Sequence, residues 1–156
     1  MKLTLREVTG KDMDLLFQWA NDSVTRQNAF HTEQIPYEIH RVWFVKMLAD
    51  RDVLKYILCS TTNAGEVQNI GQIRLSIEDG EALIDYSIDP EKRGQGFGAR
   101  MVLMAEEKLR ETRTDVNVCK GQVKLENIAS AKVFEKCGYD MDEKEQYLEF
   151  IKRIRS

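Results

Sequence analysis

The glycine-rich segment at residues 89–100, Asp-Pro-Glu-Lys-Arg-Gly-Gln-Gly-Phe-Gly-Ala-Arg, constrains the fold of this chain more than any other part of it. It follows a run of strand-forming residues and precedes an amphipathic helical pattern. Backbone N–H groups at a helix N-terminus have no partners within the helix, and the helix dipole adds partial positive charge there. Alternating glycines remove the side chains that would keep a diphosphate from that backbone. The segment therefore predicts an anion-binding cradle at a strand–helix junction, with a flexible turn as the alternative.

Two well-known phosphate-binding loops fit this segment poorly. A P-loop ends in Gly-Lys-Ser or Gly-Lys-Thr, and no lysine follows Gly98. Gly94, Gly96 and Ala99 formally match a dinucleotide fingerprint, but that fingerprint follows its strand directly within a βαβ unit. Here Asp-Pro-Glu-Lys-Arg intervenes, and hairpin-like strands come before it. The pattern excludes a Walker-type nucleotide site and leaves a Rossmann site as the less favoured alternative.

The rest of the chain predicts a mixed sheet in an α/β or α+β layer fold, because antiparallel strands are followed by strand–helix crossovers. Strands are predicted at Leu3 to Val8, Val53 to Ser60, Ile70 to Ile77, Ala82 to Ile88 and Val116 to Val123, with a closing hairpin between Tyr139 and Ile154. Helices are predicted from the Thr9–Asp12 cap through Trp19, from Tyr37 to Ala49, from the glycine-rich segment to Arg113 and from Ile128 to Lys136. The apolar side of helix 37–49 is expected to carry Ile39, Val42, Trp43, Val45 and Met47. No linker or repeat interrupts the pattern, so residues 1–156 are expected to form a single domain.

Composition and cysteine usage set the expected partners and compartment. Lys and Arg number 23 against 26 Asp and Glu, a net charge of −3, which gives no basic stripe for nucleic acid. Cys59, Cys119 and Cys137 have no paired spacing, so we expect reduced, buried residues rather than disulfides or a metal site. The N-terminus lacks the apolar core of a signal peptide, and no apolar run is long enough to span a bilayer. We therefore expect a cytoplasmic protein with no nucleic-acid or membrane partner.

Two motifs resemble the signatures of the GNAT superfamily of N-acetyltransferases. Arg93-Gly94-Gln95-Gly96-Phe97-Gly98 is similar to the family's Arg/Gln-x-x-Gly-x-Gly/Ala loop. Residues 127–139 are similar to its second signature, Asn-x-x-Ser-x-x-x-Tyr/Phe-Glu-Lys-x-Gly-Phe/Tyr. The resemblance extends from Leu3 to about Ile154 and implies a GNAT-like mixed sheet, flanked by helices and splayed between its fourth and fifth strands. It also implies an acetyl-CoA-dependent N-acetyltransferase.

The resemblance assigns residues to acetyl-CoA, the implied cosubstrate. Backbone groups of Tyr86, Ser87 and Ile88 are expected to pair with the pantetheine arm as if it were a strand. The side chain of Asn127 is expected to touch the same arm, and N-capping of the following helix is a compatible alternative. The residues implied for the pyrophosphate are Arg93, Gly94, Gln95, Gly96, Phe97, Gly98 and Ala99.

The chain departs from the family at both usual proton-transfer positions. Phe134 occupies the place of the tyrosine that protonates the thiolate in many members, and Gln122 the place of a frequent glutamate base. Asp85, on the fourth predicted strand, and His40, whose ordinary pKa of about 6.5 suits proton transfer, are therefore the predicted catalytic residues. The hydroxyl groups of Tyr86, Tyr139 and Tyr147 are alternatives for proton transfer, and an ordinary structural role is the alternative for each of these residues.

The N-terminal third resembles one subgroup, which acetylates nucleotide-linked amino sugars of the pseudaminic-acid type. Trp19-Ala20-Asn21-Asp22, a downstream Arg26 and His40-Arg41-Val42-Trp43-Phe44 are similar to that subgroup. The resemblance implies that Asn21, Arg26 and His40 bind the acceptor through charge-assisted hydrogen bonds, with helix capping as the alternative for the first two. A protein N-terminal acetyltransferase and a non-catalytic coenzyme A-binding module are the alternative functions. The identity of the acceptor amine and the possibility of a homodimer stay open.

Overall fold

A computed structural model describes residues 1–155 of the chain. Its strands are β1 (Lys2–Glu7), β2 (Val53–Thr61), β3 (Val67–Glu78), β4 (Glu81–Ile88), β5 (Val118–Lys124), β6 (Asp140–Glu143) and β7 (Tyr147–Arg153). Its α-helices are α1 (Met13–Ala20), α2 (Ser23–Asn28), α3 (Tyr37–Ala49), α4 (Phe97–Thr112) and α5 (Ile128–Lys136). Short 3₁₀ turns at Gly10–Asp12 and Pro90–Lys92 precede α1 and α4.

The strands form one sheet in the order β1-β2-β3-β4-β5-β7-β6. Neighbouring strands are antiparallel except for β4 and β5, which are parallel. A parallel pair needs a crossover connection, and α4 provides it between these two strands. The predicted mixed sheet flanked by helices is confirmed.

Apolar clusters cover the two faces of the sheet. On one face, hereafter the α1/α3 face, Trp19 and Phe44 pack with Ile57 of β2. On the other, the α4/α5 face, Met101 and Phe134 pack with core residues of the central strands. Burial of these side chains supplies the main stabilising term of the fold. The strand residues of the α1/α3 cluster all belong to β2.

Helix α3 has the predicted bounds but not the predicted apolar side. Ile39, Val42 and Val45 are exposed, whereas His40 and Phe44 are buried against the sheet. The expectation is confirmed for Met47 and for the partly buried Trp43, and it was wrong for the other three because apolar residues occur around much of this helix, so their spacing does not single out one face.

Helix α2 lies within a stretch that the sequence leaves as polar and irregular. Its six residues, Ser-Val-Thr-Arg-Gln-Asn, have no apolar periodicity, and none of them is buried. The Asp22 side chain caps it by accepting a hydrogen bond from the Thr25 amide at 3.1 Å. Local capping rather than core packing therefore starts this helix.

A buried ion pair joins α4 to the C-terminal hairpin. Glu106 is 1 % exposed, and its carboxylate accepts hydrogen bonds from Lys152 Nζ at 2.7 Å and from the Tyr139 hydroxyl at 2.9 Å. Burial raises the pKa of Tyr139, so the phenol keeps its proton and donates a hydrogen bond to the carboxylate. The Tyr139 hydroxyl therefore has a structural role in this network.

The cysteines behave as predicted. Cys59, Cys119 and Cys137 are all buried and free, and burial raises the pKa of both Cys119 and Cys137 to about 11. Among residues 1–155, no helix combines the length and the apolar character needed to cross a membrane.

Candidate active site

The parallel strands β4 and β5 separate before they end. Their residue pairs run only from Glu81–Val118 to Ile84–Gly121, although β4 continues to Ile88 and β5 to Lys124. Beyond Ile84 and Gly121 each strand keeps its outer neighbour, β3 or β7. The sheet is thus split by a cleft that opens toward the carboxyl ends of β4 and β5. The predicted splay between the fourth and fifth strands is confirmed.

Alternation along β4 decides which backbone groups line this cleft. The Asp89 amide donates to the Ile70 carbonyl of β3 at 2.8 Å. The Ser87 carbonyl also faces β3, because a Cβ placed on Gly71 would lie 2.6 Å from it. In an antiparallel pair, successive residues direct their backbone groups to opposite sides. Tyr86 and Ile88 therefore face the cleft, and Ser87 does not, which corrects the expectation that all three would.

The glycine-rich loop lies where β4 ends. Gly94 and Gly96 have positive φ values of 76° and 81°, which glycine adopts without strain. No atom lies within 4 Å of a Cβ placed on either residue, so the space above the loop is open. Helix α4 begins at Phe97, and no side chain caps its N-terminus. An anion cradle with free N–H donors results, which fits a pyrophosphate.

Gly98 has a different role from the glycines before it. A Cβ there would lie 3.2 Å from the Val133 side chain and 3.4 Å from the Tyr86 ring. The missing side chain allows α4 to approach α5 and β4 closely. Gly98 is thus required for packing, together with its buried neighbours Phe97 and Ala99.

Arg93 is turned away from the open side of the loop. Its Nη2 donates to Asp22 Oδ2 at 2.5 Å and to Thr25 Oγ1 at 3.4 Å, at the start of α2. Desolvation would raise the pKa of Asp22, but hydrogen bonds from Arg93 and Thr25 outweigh it and lower that pKa below its ordinary value. A second contact joins Trp19 Nε1 to Asp89 Oδ2 at 2.8 Å. Arg93 thus connects the loop with the N-terminal helices, and a role in binding pyrophosphate stays a prediction.

The second signature lies at the start of α5. Asn127 caps this helix by accepting a hydrogen bond from the Ser130 amide at 3.3 Å. Ser130 Oγ in turn lies 3.0 Å from the Tyr86 hydroxyl, and burial raises the pKa of Tyr86 to about 12. Phe134 is buried against Gly121, the last residue of β5 that pairs with β4. Capping by Asn127 is confirmed, whereas its contact with pantetheine stays a prediction.

Asp85 is the first residue of β4 beyond the last β4–β5 pair. Its side chain is 57 % exposed and its Oδ2 lies 3.9 Å from Arg74 Nη2 on β3. Lys55, opposite Arg74 in the sheet register, is held near the Trp43 ring. Burial, assisted by the nearby Arg74 charge, lowers the pKa of Lys55 to about 7. Asp85 is therefore an accessible carboxylate beside the point where the strands part.

His40 lies in the core between α1 and α3, away from the cleft. It is 3 % exposed, and its Nε2 donates to the Met13 carbonyl at 3.1 Å. Burial lowers its pKa below the ordinary value, although the hydrogen bond to Met13 acts in the opposite direction. Catalysis by His40 stays a prediction, and its surroundings favour the structural alternative.

Asn21 and Arg26 both hold the chain that follows α2. The Asn21 amide accepts from the Ile35 N–H at 2.7 Å and donates to the Ile35 carbonyl at 2.9 Å. Arg26 Nη1 donates to the His31 carbonyl at 2.9 Å, and its buried Nε has no partner among the described residues. These contacts organise the segment, and acceptor binding by either residue stays a prediction.

An open cavity of about 400 Å³ lies beside the unpaired end of β5. Phe30 and Tyr147 form an edge-on aromatic pair there, with ring centroids 6.1 Å apart. Sequence reasoning did not predict that these two residues meet, because they are brought together only by the tertiary fold and no local pattern marks the pair. The cavity is lined by Phe30, Gln122, Lys124, Glu126, Gln146 and Tyr147.

Comparisons with known proteins agree with this architecture. The family model described as "Acetyltransferase (GNAT) domain" matches residues 2–140. A search of curated proteins found no match.

Several solved structures share the fold at low sequence identity. A domain from Methanocaldococcus jannaschii DSM 2661 is 20% identical, with a TM-score of 0.85, over 97% of this chain and 98% of that one. A spermidine N-acetyltransferase from Vibrio cholerae, in complex with CoA and spermine, is 18% identical, with a TM-score of 0.80, over 96% and 93%. The aminoglycoside acetyltransferase AAC(6')-Ib, in complex with coenzyme A and kanamycin, is 20% identical, with a TM-score of 0.77, over 97% and 95%.

Proposed function

The chain belongs to the GNAT family of acetyltransferases, and we propose that its acceptor is the primary amine of a nucleotide-linked amino sugar. It is an acetyl-CoA-dependent N-acetyltransferase, with acetyl-CoA as its cosubstrate. The separation of β4 from β5 beside an uncapped, glycine-rich helix N-terminus supports the acetyl-CoA site, and the side chains that line the cavity beside β5 carry the choice of acceptor. The cleft accommodates an extended, amide-bearing arm, and the helix N-terminus accommodates a diphosphate.

The residues assigned to acetyl-CoA act mainly through their backbone. The Tyr86 C=O and the N–H and C=O of Ile88 would pair with the amides of the pantetheine arm, because these groups face the cleft and have no strand partner there. Residues 94–99 would hold the pyrophosphate through the free N–H groups of the loop and of the first turn of α4. Bound acetyl-CoA supplies the thioester whose acetyl group is transferred. Asn127 would reach the arm from the N-cap of α5.

Asp85 is the proposed acceptor of the amine proton. An ammonium group is not a nucleophile, so its proton must leave before the amine attacks. Asp85 lies next to the point where the strands part, and it would take the proton directly or through one water. The Tyr86 N–H, which faces the cleft next to Asp85, would donate a hydrogen bond to the acetyl oxygen as negative charge develops on it. Phe134 has no proton to give, so the departing thiolate would be protonated by solvent.

The chemistry of the cavity supports a sugar nucleotide as the acceptor. An aromatic pair, Phe30 and Tyr147, offers apolar faces to a sugar ring, and the Gln122 amide offers hydrogen bonds to hydroxyl groups. Lys124 lines the cavity, and Arg26 lies on the neighbouring helix; among residues 1–155, neither forms an ion pair with a carboxylate. Either cation could meet a phosphate group, while Glu126, which also lines the cavity, could receive the amino group of the same acceptor.

An acceptor panel with free-thiol detection tests this proposal. The panel contains a UDP-linked 4-amino sugar, spermidine, kanamycin and a peptide with a free N-terminus. We expect kcat/KM for the UDP-linked sugar to exceed that for the other amines by at least about 100-fold, a ratio that a site built for specific polar contacts reaches readily. Preference for spermidine, kanamycin or the peptide would overturn the choice of acceptor. Coenzyme A binding without turnover of any amine would favour the non-catalytic alternative.

The role of Asp85 has its own test. Asp85→Asn keeps the shape of the side chain but removes its ability to accept a proton, so we expect kcat to fall by about 100-fold or more. Asp142→Asn is the matched control, because Asp142 is an exposed strand carboxylate paired with Lys144. Equal kcat values for the two variants would exclude Asp85 as the base.

A further inference from the structure

Residues 21–35, hereafter the strap, form a closed segment on the α1/α3 face of the sheet. Its ends are joined by the two hydrogen bonds between the Asn21 amide and the backbone of Ile35. Between them the chain passes through α2 and Phe30. None of residues 21–35 is buried. Apolar packing therefore contributes little to holding the strap in place, and its position depends on a few specific contacts.

Three contacts, in chain order, join the strap to elements on both sides of the cleft. Asp22 meets Arg93 in the loop that follows β4, at 2.5 Å. The Gln27 carbonyl accepts a hydrogen bond from Lys124 Nζ at the end of β5, at 2.9 Å. Phe30 then meets the ring of Tyr147 on β7. The strap thus reaches from the β4 side of the cleft to the β5 side and forms one wall of the acceptor cavity.

The contact between Asp22 and Arg93 makes the position of α2 depend on the glycine-rich loop. The Asp22 carboxylate both caps α2, through Thr25, and accepts the hydrogen bond from Arg93. The other end of the loop is held by Trp19, a core residue of α1, through its bond to Asp89. Arg93 is thus the part of the loop that connects with the strap, while Asp89 connects with the rigid core.

We propose that Arg93 is a positioning residue that transmits cosubstrate binding from the glycine-rich loop to the strap. A ligand on the N–H groups of the loop restricts Arg93, Arg93 restricts Asp22, and the strap becomes ordered across the acceptor cavity. The acceptor then loses less conformational entropy when it binds, so the two substrates bind with positive coupling. This inference rests on the proposed function only in taking coenzyme A as the ligand of the loop.

Hydrogen exchange of the full chain, with and without saturating coenzyme A, tests the proposal without any acceptor. In the unmodified protein we expect coenzyme A to slow amide exchange in residues 21–35 by about tenfold, as well as at the cleft and the start of α4. In Arg93→Ala and in Asp22→Ser the slowing of the strap should be lost, while the cleft stays protected. Serine is as good an N-cap as aspartate but does not reach Arg93, so Asp22→Ser removes the connection and keeps the helix start.

Arg41→Ala is the control, because it removes an exposed arginine–glutamate pair within α3 that touches neither the strap nor the loop. It should behave as the unmodified protein. Strap protection that persists in Asp22→Ser, or that never arises although the cleft is protected, would overturn the coupling. If Arg93→Ala abolishes coenzyme A binding, Arg93 itself contacts the cosubstrate. The Asp22→Ser variant alone then decides whether cosubstrate binding is coupled to the strap. Absence of coenzyme A binding to the unmodified protein would instead count against the proposed function.

Discussion

At the scale of single residues, the open space at Gly96 gives the most direct test of the cosubstrate site. Gly96→Val places a side chain where the pyrophosphate is proposed to bind, so we expect coenzyme A affinity to fall by at least about tenfold, measured by calorimetry. Gly65→Val is the matched control, because Gly65 also has a positive φ and open space around it but lies in the β2–β3 connection. Both variants carry a similar backbone strain, and only the first should lose affinity. Equal affinities would contradict the site.

The buried imidazole of His40 predicts a pH dependence of stability. Its pKa is lowered in the folded protein, so below about pH 6.5 the unfolded chain binds a proton that the folded chain does not. The contribution is therefore present above that pH and is lost as the pH falls through the lowered pKa. We expect His40→Gln, which keeps a hydrogen-bond donor, to reduce the loss of unfolding free energy between pH 7.5 and pH 5.5, values chosen to bracket the ordinary His pKa of about 6.5.

The measurement is urea unfolding at both pH values, with His31→Gln as the control because His31 is exposed. His31→Gln should retain the pH dependence of the unmodified protein. An unchanged dependence in His40→Gln would show that the buried imidazole does not cause it.

At the scale of elements, the contact between β5 and α5 determines how closely the helix approaches the cleft. A Cβ on Gly121 would lie 2.3 Å from Phe134 Cζ, far inside van der Waals contact. We therefore expect Gly121→Ala to lower the free energy of unfolding by about 1–3 kcal/mol, as overpacking does. Adding Phe134→Leu should restore part of the loss.

Urea unfolding checks this expectation, with Gly10→Ala as the control because a Cβ on Gly10 meets no atom within 4 Å. If the Gly121→Ala variant is as stable as the Gly10→Ala variant, α5 can shift away from β5 without loss of unfolding free energy.

The contact between Gly121 and Phe134 also bears on Phe134→Tyr. Since Phe134 gives no proton, we expect that variant to keep kcat within about tenfold of the original, less than the usual effect of an acid–base group, but to lower the free energy of unfolding, because its hydroxyl would extend from Cζ toward Gly121.

The elements that the sequence predicts well are those in which the hydrophobic pattern and the capping residues indicate the same bounds. Helix α5 has the predicted bounds, between the Asn127 cap and Gly138, whose φ of 86° ends it. Helix α2 is missed because it is short and polar. One N-cap and a few hydrogen bonds hold it in place, so its sequence shows no hydrophobic periodicity.

In the candidate site, the glycine-rich loop was found from local chemistry, but the strap contacts were not. Arg93 and Asp22 are 71 positions apart in the chain, and Phe30 and Tyr147 are farther apart still. Such pairs are created by the topology of the sheet, and no local pattern encodes them. The separation of β4 from β5 was predicted only from the family resemblance. The composition of a strand does not show which of its residues pair with the neighbouring strand.

At the scale of the whole molecule, the sheet consists of two parts joined along four residue pairs of β4 and β5. A ligand that pairs with both strands should stabilise the whole fold, by about 2.7 kcal/mol at a hundredfold excess over its Kd. We expect saturating coenzyme A to raise Tm accordingly. Adenosine 3′,5′-diphosphate, which lacks the pantetheine arm, should protect the loop but leave amide exchange at Tyr86 and Ile88 unchanged. Equal protection of the cleft by both ligands would contradict the proposed place of the arm.

The parting of β4 and β5 also has a consequence for how this protein can change over evolutionary time. Every residue except proline presents the same N–H and C=O groups, so a cleft that recognises its ligand through the main chain tolerates replacement of the side chains around it. Only the backbone path and a few glycines must persist. Structures 17–21% identical to this chain retain its fold. The proposed acceptor cavity is instead built from side chains such as Phe30 and Tyr147, so replacing them would change which acceptor fits without disturbing the proposed cosubstrate site.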